Sequence, residues 1–255
     1  MSDSKYVSIC VVHYAKTDDH GTTGIDRSET MKQSLISLFD NTDYPAEILV
    51  ADNGGNPDDT DWLVQKTREG KINTLVRFKE NLQFAFAWNQ LSRIATGDYI
   101  LFTCNDIKFK PGWLSACVNL LEKYSDRKLI ATPFITPDKN RPNFNKEVLE
   151  DARINSMAGS NCMLMRRETW REIGEFPHHR IGGSIWHRLM VRAGYLVIVP
   201  PVDMVEHMAW RSGINWRRPA IIKRTLLNGE EVDFSLQIRR KSLYNSWQRD
   251  AGINL

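Results

Sequence analysis

The stretch Tyr99-Ile100-Leu101-Phe102-Thr103-Cys104-Asn105-Asp106 decides how the rest of the chain reads. Tyr99–Thr103 is an apolar, strand-length run, and it ends abruptly in polar residues. Asp106 therefore stands at the edge of a core. A carboxylate there needs a cation, an N–H group or solvent. A hard divalent ion shared with a diphosphate meets that need, because Mg²⁺ is usually held by one or two carboxylates plus phosphate oxygens. Capping of the helix that opens at Pro111 is excluded by the spacing, which is too long.

Working outward, the same kind of run recurs. Tyr6–Val12, Glu47–Ala51, Asn73–Phe78 and Leu129–Phe134 read as strands, with Ser156–Met165 and Tyr195–Val199 following. Between them, apolar residues at helical spacing predict helices from Ser28, over Asp59–Arg68, Phe84–Ala95 and Pro111–Tyr124, then over Arg167–Ile173 and Ser184–Ala193. Thr136–Arg153 reads as a polar surface loop, and helices are expected over 220–227 and 232–248. Strands alternating with helices predict an α/β fold with a mainly parallel central sheet. Ligands of such sheets bind beyond the carboxyl ends of the strands. Those ends carry His13-Tyr14, then Asp52-Asn53-Gly54-Gly55, then Cys104-Asn105-Asp106. Asp52 alone reads equally well as a turn former. His207, after the break at Pro200-Pro201, is a candidate second ligand beside Asp106.

Length and charge set outer limits. A chain of 255 residues with 42% hydrophobic content fits one large domain, or one domain plus an extension. The net charge of +3 is too small to imply a polyanion partner for the whole chain. After His207, however, nine Lys/Arg face four acids, so the tail is basic at +5 and the body is at −2. Cys10, Cys104, Cys117 and Cys162 form no C-x-x-C pair, which argues against a zinc site or a disulfide framework and for a reducing compartment. Met1–Tyr6 is not a signal peptide, and no apolar run is long enough to span a membrane. A cytoplasmic location is therefore expected.

The ordered motifs resemble those of the inverting nucleotide-sugar glycosyltransferases of family 2, which have the GT-A fold. The resemblance runs from about Tyr6 to Arg211. Val7–Tyr14 is similar to the family's first strand and nucleotide-contacting turn. Ile48–Gly54 is similar to its "vvDNgS" strand, and Glu80–Asn89 to "eNlGfaaarN", with Gln83 where Gly is usual. Gly97–Asp106 is similar to "GdyilfLnnD", whose acidic end binds metal, and Pro111–Leu114 continues the match. Gly159–Arg167 with Glu172–Phe176 is similar to the acceptor-side segment, and Glu206-His207 to the late His. The resemblance implies donor contacts from His13, Tyr14, Asp52, Asn53, Asn89, Asn105 and Arg211. It implies Mn²⁺ or Mg²⁺ on Asp106 and His207.

Two departures stand out. Cys104 occupies the first position of the metal motif, where Asp or Asn is usual. Before the helix that ends in Ala193-Gly194-Tyr195, the stretch Arg180–His187 holds no carboxylate, although inverting members carry their base there. A histidine can take the acceptor proton near neutral pH. His178, His179 and His187 lie within reach in sequence, with His179 and His187 preferred; a retaining reaction or a substrate-borne base also fits.

The sequence thus predicts a metal-dependent glycosyltransferase domain over residues 1–210 and a basic, aromatic-containing helical tail over 211–255. The donor is a nucleoside-diphosphate sugar, most simply a UDP-sugar, and the acceptor a hydroxyl of a glycan. Trp210, Trp216, Tyr244 and Trp247 among the tail cations open a second reading, transfer to a hydroxymethylated base in phage DNA. A non-catalytic sugar-nucleotide-binding module is the third. A nucleotidyltransferase is disfavoured because His13–Asp19 is acidic rather than glycine-rich and basic.

Overall fold

The computed structural model describes residues 5–15, 26–133, 145–155, 161–178, 182–208, 223–225 and 231–233. Its chain divides into two units, Met1–Ser212 and Gly213–Leu255.

In the first unit, β1 (Val7–His13) is buried along its whole length. Its residues alternate between two cores, as a strand covered on both faces requires. Val7, Ile9 and Val11 enter one core with Met31, Leu35 and Leu38 of α1 (Arg27–Asn41) and with Trp113, Leu114 and Leu121 of α4 (Trp113–Lys123). Cys10 and Val12 enter the other, with Trp88 and Leu91 of α3 (Phe84–Ile94), Trp170 of α5 (Arg167–Ile173) and Trp186 of α6 (Gly182–Arg192). In that second core, Trp88, Phe102, Trp170, Phe176 and Trp186 pack with ring centroids 4.7–5.8 Å apart. Truncating any one of them costs about 3–5 kcal/mol.

The sheet is completed by β2 (Ala46–Asn53), β3 (Thr74–Phe78), β4 (Tyr99–Cys104), β6 (Leu129–Ala131), β7 (Asn145–Val148), β8 (Arg153–Asn155), β9 (Cys162–Arg166) and β10 (Leu196–Val199). Its order is β3-β2-β1-β4-β9-β6-β10-β8-β7. The first four strands are parallel, and β9 lies antiparallel between β4 and β6. β6 and β10 are parallel, and β8 is antiparallel to both β10 and β7. Only β8 and β9 therefore run against the rest. The register sets His13 beside Asp52, Val12 beside Cys104, and Asn53 beside Phe78, so the polar ends of β2, β1 and β4 are level.

A small second sheet lies next to these ends. β5 (Ile107–Phe109) pairs antiparallel with β11 (Val205–His207), His207 opposite Ile107. The other edge of β5 is served by side chains of α1. Ser34 Oγ donates to the Ile107 carbonyl (2.7 Å), Phe109 N–H donates to Ser37 Oγ (3.0 Å) and Asn41 Nδ2 donates to the Phe109 carbonyl (3.1 Å). The second edge of β5, whose Ile107 and Phe109 are buried, is thus served by side chains where no strand pairs with it. At the start of α1, Asp26 caps by accepting from Glu29 N–H. α2 (Pro57–Arg68) starts at the Asn56 cap with Pro57 in its first turn.

Several sequence expectations change. β5, β7, β8 and β11 are strands of three or four residues that periodicity does not pick out; β7 falls where a loop was expected, and β8 begins at the last residue of that loop. The expected strand over Ser156–Met165 is described only as Cys162–Arg166. In the second unit, the expected helices over 220–227 and 232–248 give way, where the structure is described, to β12 (Lys223–Thr225) and β13 (Glu231–Asp233), an antiparallel pair. Thr225 and Val232 are β-branched and favour extended backbone, and the intervening sequence contains Asn228-Gly229, a chain-reversing dipeptide.

Candidate active site

The level ends of β2, β1 and β4 build the site. His13 closes β1 and is fully buried. Its Nε2 lies 3.0 Å from Asp59 Oδ2, and its Nδ1 lies 2.9 Å from Asn105 Nδ2. With the Asn105 amide nitrogen facing it, Nδ1 is placed to accept, an arrangement that leaves Nε2 to donate to Asp59. Asp59 Oδ2 also accepts from Ser28 Oγ (2.9 Å) and Asn56 Nδ2 (2.8 Å). Burial pushes the Asp59 carboxyl up, but the hydrogen bonds from His13 and Ser28 outweigh it and hold the group below its ordinary range.

Asp52 is equally buried. Its Oδ1 accepts from Gly55 N–H (2.8 Å), its Oδ2 accepts from Thr60 Oγ1 (2.6 Å), and Arg77 Nε stands 3.8 Å from Oδ2. Asn53 accepts from Leu82 N–H (3.0 Å) and donates to Asn81 Oδ1 (3.1 Å), which also accepts from Gln83 N–H (2.8 Å). The segment 80–83 is thereby pinned to the end of β2. Gln83 lies at φ 72°, ψ 153°, a region close to glycine-only, and it is the position where the family motif carries Gly.

Asp106 follows β4. Its Oδ1 is buried and has no hydrogen-bond partner among the described residues. Burial raises its pKa, partly offset by His207. His207 Nε2 stands 3.7 Å from Asp106 Oδ2, beyond hydrogen-bond length, because the β5–β11 register and the Met208 N–H to Asp106 carbonyl bond (2.9 Å) bring the two together. A partnerless buried carboxylate oxygen beside an imidazole is a donor set suited to a divalent cation. Burial, then the charge of Asp106, push the neighbouring Cys104 thiol up.

A family model, Glycosyl transferase family 2, matches residues 25–190, more than half of the chain. The chain belongs to glycosyl transferase family 2. Two solved structures are similar in fold. GalNAc-T7 with UDP, GalNAc and Mn²⁺ superposes with a TM-score of 0.60 at 13% identity, over 81% of this chain and 44% of that one. S. aureus TarS 1–349 superposes with a TM-score of 0.56 at 16% identity, over 77% of this chain and 58% of that one. The chain thus spans less than two thirds of either neighbour. No curated protein matches it in sequence.

Other residues that the family 2 resemblance singles out lie differently. Asn89 is buried in mid-α3, and its amide is spent on Phe176: Nδ2 donates to the carbonyl (2.8 Å) and Oδ1 accepts from the N–H (3.0 Å). It braces α3 against the segment after α5. Tyr14 is half-buried just past β1. His187 is buried in α6; burial pulls its pKa to about 4, against a hydrogen bond to the Gly183 backbone. A ring so placed is a weak proton acceptor at neutral pH. His178 is exposed, its ring edge-on to Phe86 at 5.3 Å. His179 and Arg211 lie outside the described residues.

Sequence reasoning missed Ser28, Asn56, Asp59 and Thr60. Asn56-Pro57-Asp58-Asp59 carries a clear helix-start signature, and acids in a first turn usually face solvent. The one available signal was the proximity in sequence of Asp59 to the motif residue Asp52.

Proposed function

We propose that this chain transfers a sugar from a nucleoside-diphosphate sugar, UDP being the simplest carrier, to a hydroxyl of a glycan. The observation that carries the reading is Asp106, with its buried partnerless Oδ1 beside His207, at the carboxyl end of β4 in a family 2 chain. Asp106 and His207 would hold Mn²⁺ or Mg²⁺. Among the described residues no cluster of three or more His, Cys, Asp or Glu forms, so further ligands would come from phosphate and water. Such an ion, when bound, offsets the charge that develops on a departing diphosphate. The UDP and Mn²⁺ bound in the GalNAc-T7 structure support this choice of donor and ion.

The chain's own residues supply the rest of the scheme. Asp52, Asn53 and Asn81 shape the nucleotide end of the crevice, with Tyr14 beside β1. Arg211 is the cation assigned to the diphosphate. The burial of His187 leaves His179 as the residue proposed to take the acceptor proton. The test is hydrolysis of UDP-sugars by the purified chain with Mn²⁺, compared with Asp106→Asn. Turnover that is lost in the variant is expected. Equal turnover in both would sink the assignment.

One observation favours a second reading, a binding module without turnover: no carboxylate stands in 180–187, and His187 is buried. UDP binding with no donor hydrolysis is its signature. The DNA acceptor draws on Trp210, Arg211, Trp216, Tyr244 and Trp247, all outside the described residues. Salt-sensitive binding to duplex DNA is what it requires.

A further inference from the structure

The buried group that the scheme above leaves without a task is the Asp59–His13 pair. We propose that Asp59 and His13 are positioning residues that hold the Asn105 amide with its nitrogen toward His13 and its carbonyl oxygen toward the donor, as the acceptor oxygen that Cys104 does not supply.

The inference rests on the donor reading of this crevice and goes further, into how the chain compensates for its missing carboxylate. Three links carry it. Asp59 Oδ2 gathers three donors, His13 Nε2, Ser28 Oγ and Asn56 Nδ2, all within 3.0 Å, so it acts as a fixed acceptor. That acceptor retains the proton of His13 on Nε2 and exposes the Nδ1 lone pair. The lone pair takes an N–H from Asn105 at 2.9 Å, and because the amide is planar its oxygen faces away from the ring. His13 and Asp59 are fully buried, so neither touches the donor itself. Gly55 permits the arrangement: a Cβ there would stand 2.7 Å from Asp52 Oδ1 and 3.0 Å from His13 Nε2.

The outcome is a neutral acceptor oxygen one residue before Asp106, in a motif whose first position, Cys104, has no side-chain oxygen to offer. An amide oxygen accepts a sugar hydroxyl of the nucleotide or coordinates a hard cation equally well. Outer groups that orient a ligand in this way are worth about 10–100-fold in affinity.

The test uses the full chain labelled with ¹⁵N-histidine, with His13→Phe to assign the ring signals. Expected at neutral pH is one ring with Nε2 protonated and Nδ1 bare. A ring protonated on Nδ1, or on both nitrogens, overturns the proposal. In parallel, Mn²⁺ alone is titrated by electron paramagnetic resonance, and UDP with Mn²⁺ by calorimetry. Asp59→Leu and Asn105→Ala should each weaken binding about tenfold, and the double variant no more than about tenfold, because both act through one oxygen. Asp59→Asn, which keeps an acceptor for Nε2, should restore affinity. A loss confined to the UDP titration assigns the oxygen to a nucleotide hydroxyl, and a loss with Mn²⁺ alone assigns it to the ion. Additive losses of about a hundredfold in the double variant, or full affinity in Asn105→Ala, refute the proposal. A wild-type chain that binds neither Mn²⁺ nor UDP while keeping the Nε2-protonated ring refutes the donor reading and the role given to Asn105 with it. A mixed tautomer with UDP binding intact refutes the relay alone.

Discussion

Lowering the pH from 7 to 5 should destabilise this protein through His187. The ring is 7% exposed and burial holds its pKa at about 4, against 6.5 for a free side chain. The folded state therefore binds fewer protons than the unfolded state between those two values. Stability is complete above pH 6.5, falls as pH drops through the window, and levels off below about pH 4. One pH unit is worth about 1.4 kcal/mol, so the loss is about 2 kcal/mol at pH 5 and about 3 kcal/mol once the window has been crossed. His187→Gln keeps a donor for the Gly183 backbone but does not titrate. Urea unfolding at pH 7.5, 6, 5 and 4.5 reads the effect as the difference in midpoint between the two proteins. Wild type should lead at pH 7.5, and its lead should shrink or reverse by pH 5. Parallel profiles across the series would refute the burial argument, and would also return His187 to consideration as the proton acceptor.

Three further perturbations test the frame around the site. Gln83→Gly should raise stability by about 1 kcal/mol and the melting temperature by about 2–4 °C, because φ 72°, ψ 153° costs a side-chain-bearing residue about 1–3 kcal/mol and glycine gives part of that back in unfolded-state entropy. Gly54→Ala should cost about 2 kcal/mol or more in chemical denaturation, since the residue has φ 77° and the added Cβ would stand 2.6 Å from the Glu80 carbonyl carbon. Ser37→Ala leaves the Phe109 N–H without its acceptor and should cost about 1–3 kcal/mol; Mn²⁺ affinity, followed by electron paramagnetic resonance, should weaken with it, because β5 carries Asp106 at its head.

The parallel half of the fold was legible because its strands are long and apolar. Tyr99–Thr103 and Val7–Val12 are buried on both faces, and such runs stand out against any background. The unusual backbone at Gln83 was readable too, as a side chain in a glycine position of the motif. What escaped is non-local. Three-residue strands such as β5 and β11 carry no periodicity, so the register that sets His207 beside Asp106 has no local signature. Asp59 entered only as the first residue of an expected helix, because burial of a first-turn residue depends on what packs over it, here His13 and Ser28. Asn89 misled in the opposite direction: its place in a nucleotide-binding motif gave no sign that Phe176 uses both ends of its amide. In the tail, helices were expected, whereas β-branched Thr225 and Val232 favour the extended backbone found there.

The pairing of β5 with β11 also has a kinetic consequence. Asp106 and His207 are about a hundred residues apart in sequence and meet through a ladder only three residues long. Closing so large a loop is entropically costly, and so short a ladder returns little until the large sheet is in place to support it. During refolding, burial of Trp88, Trp113 and Trp186 should therefore precede the meeting of Asp106 and His207, the pair proposed to hold Mn²⁺. A chain stalled between those two events would have native fluorescence with the proposed cation pair still apart.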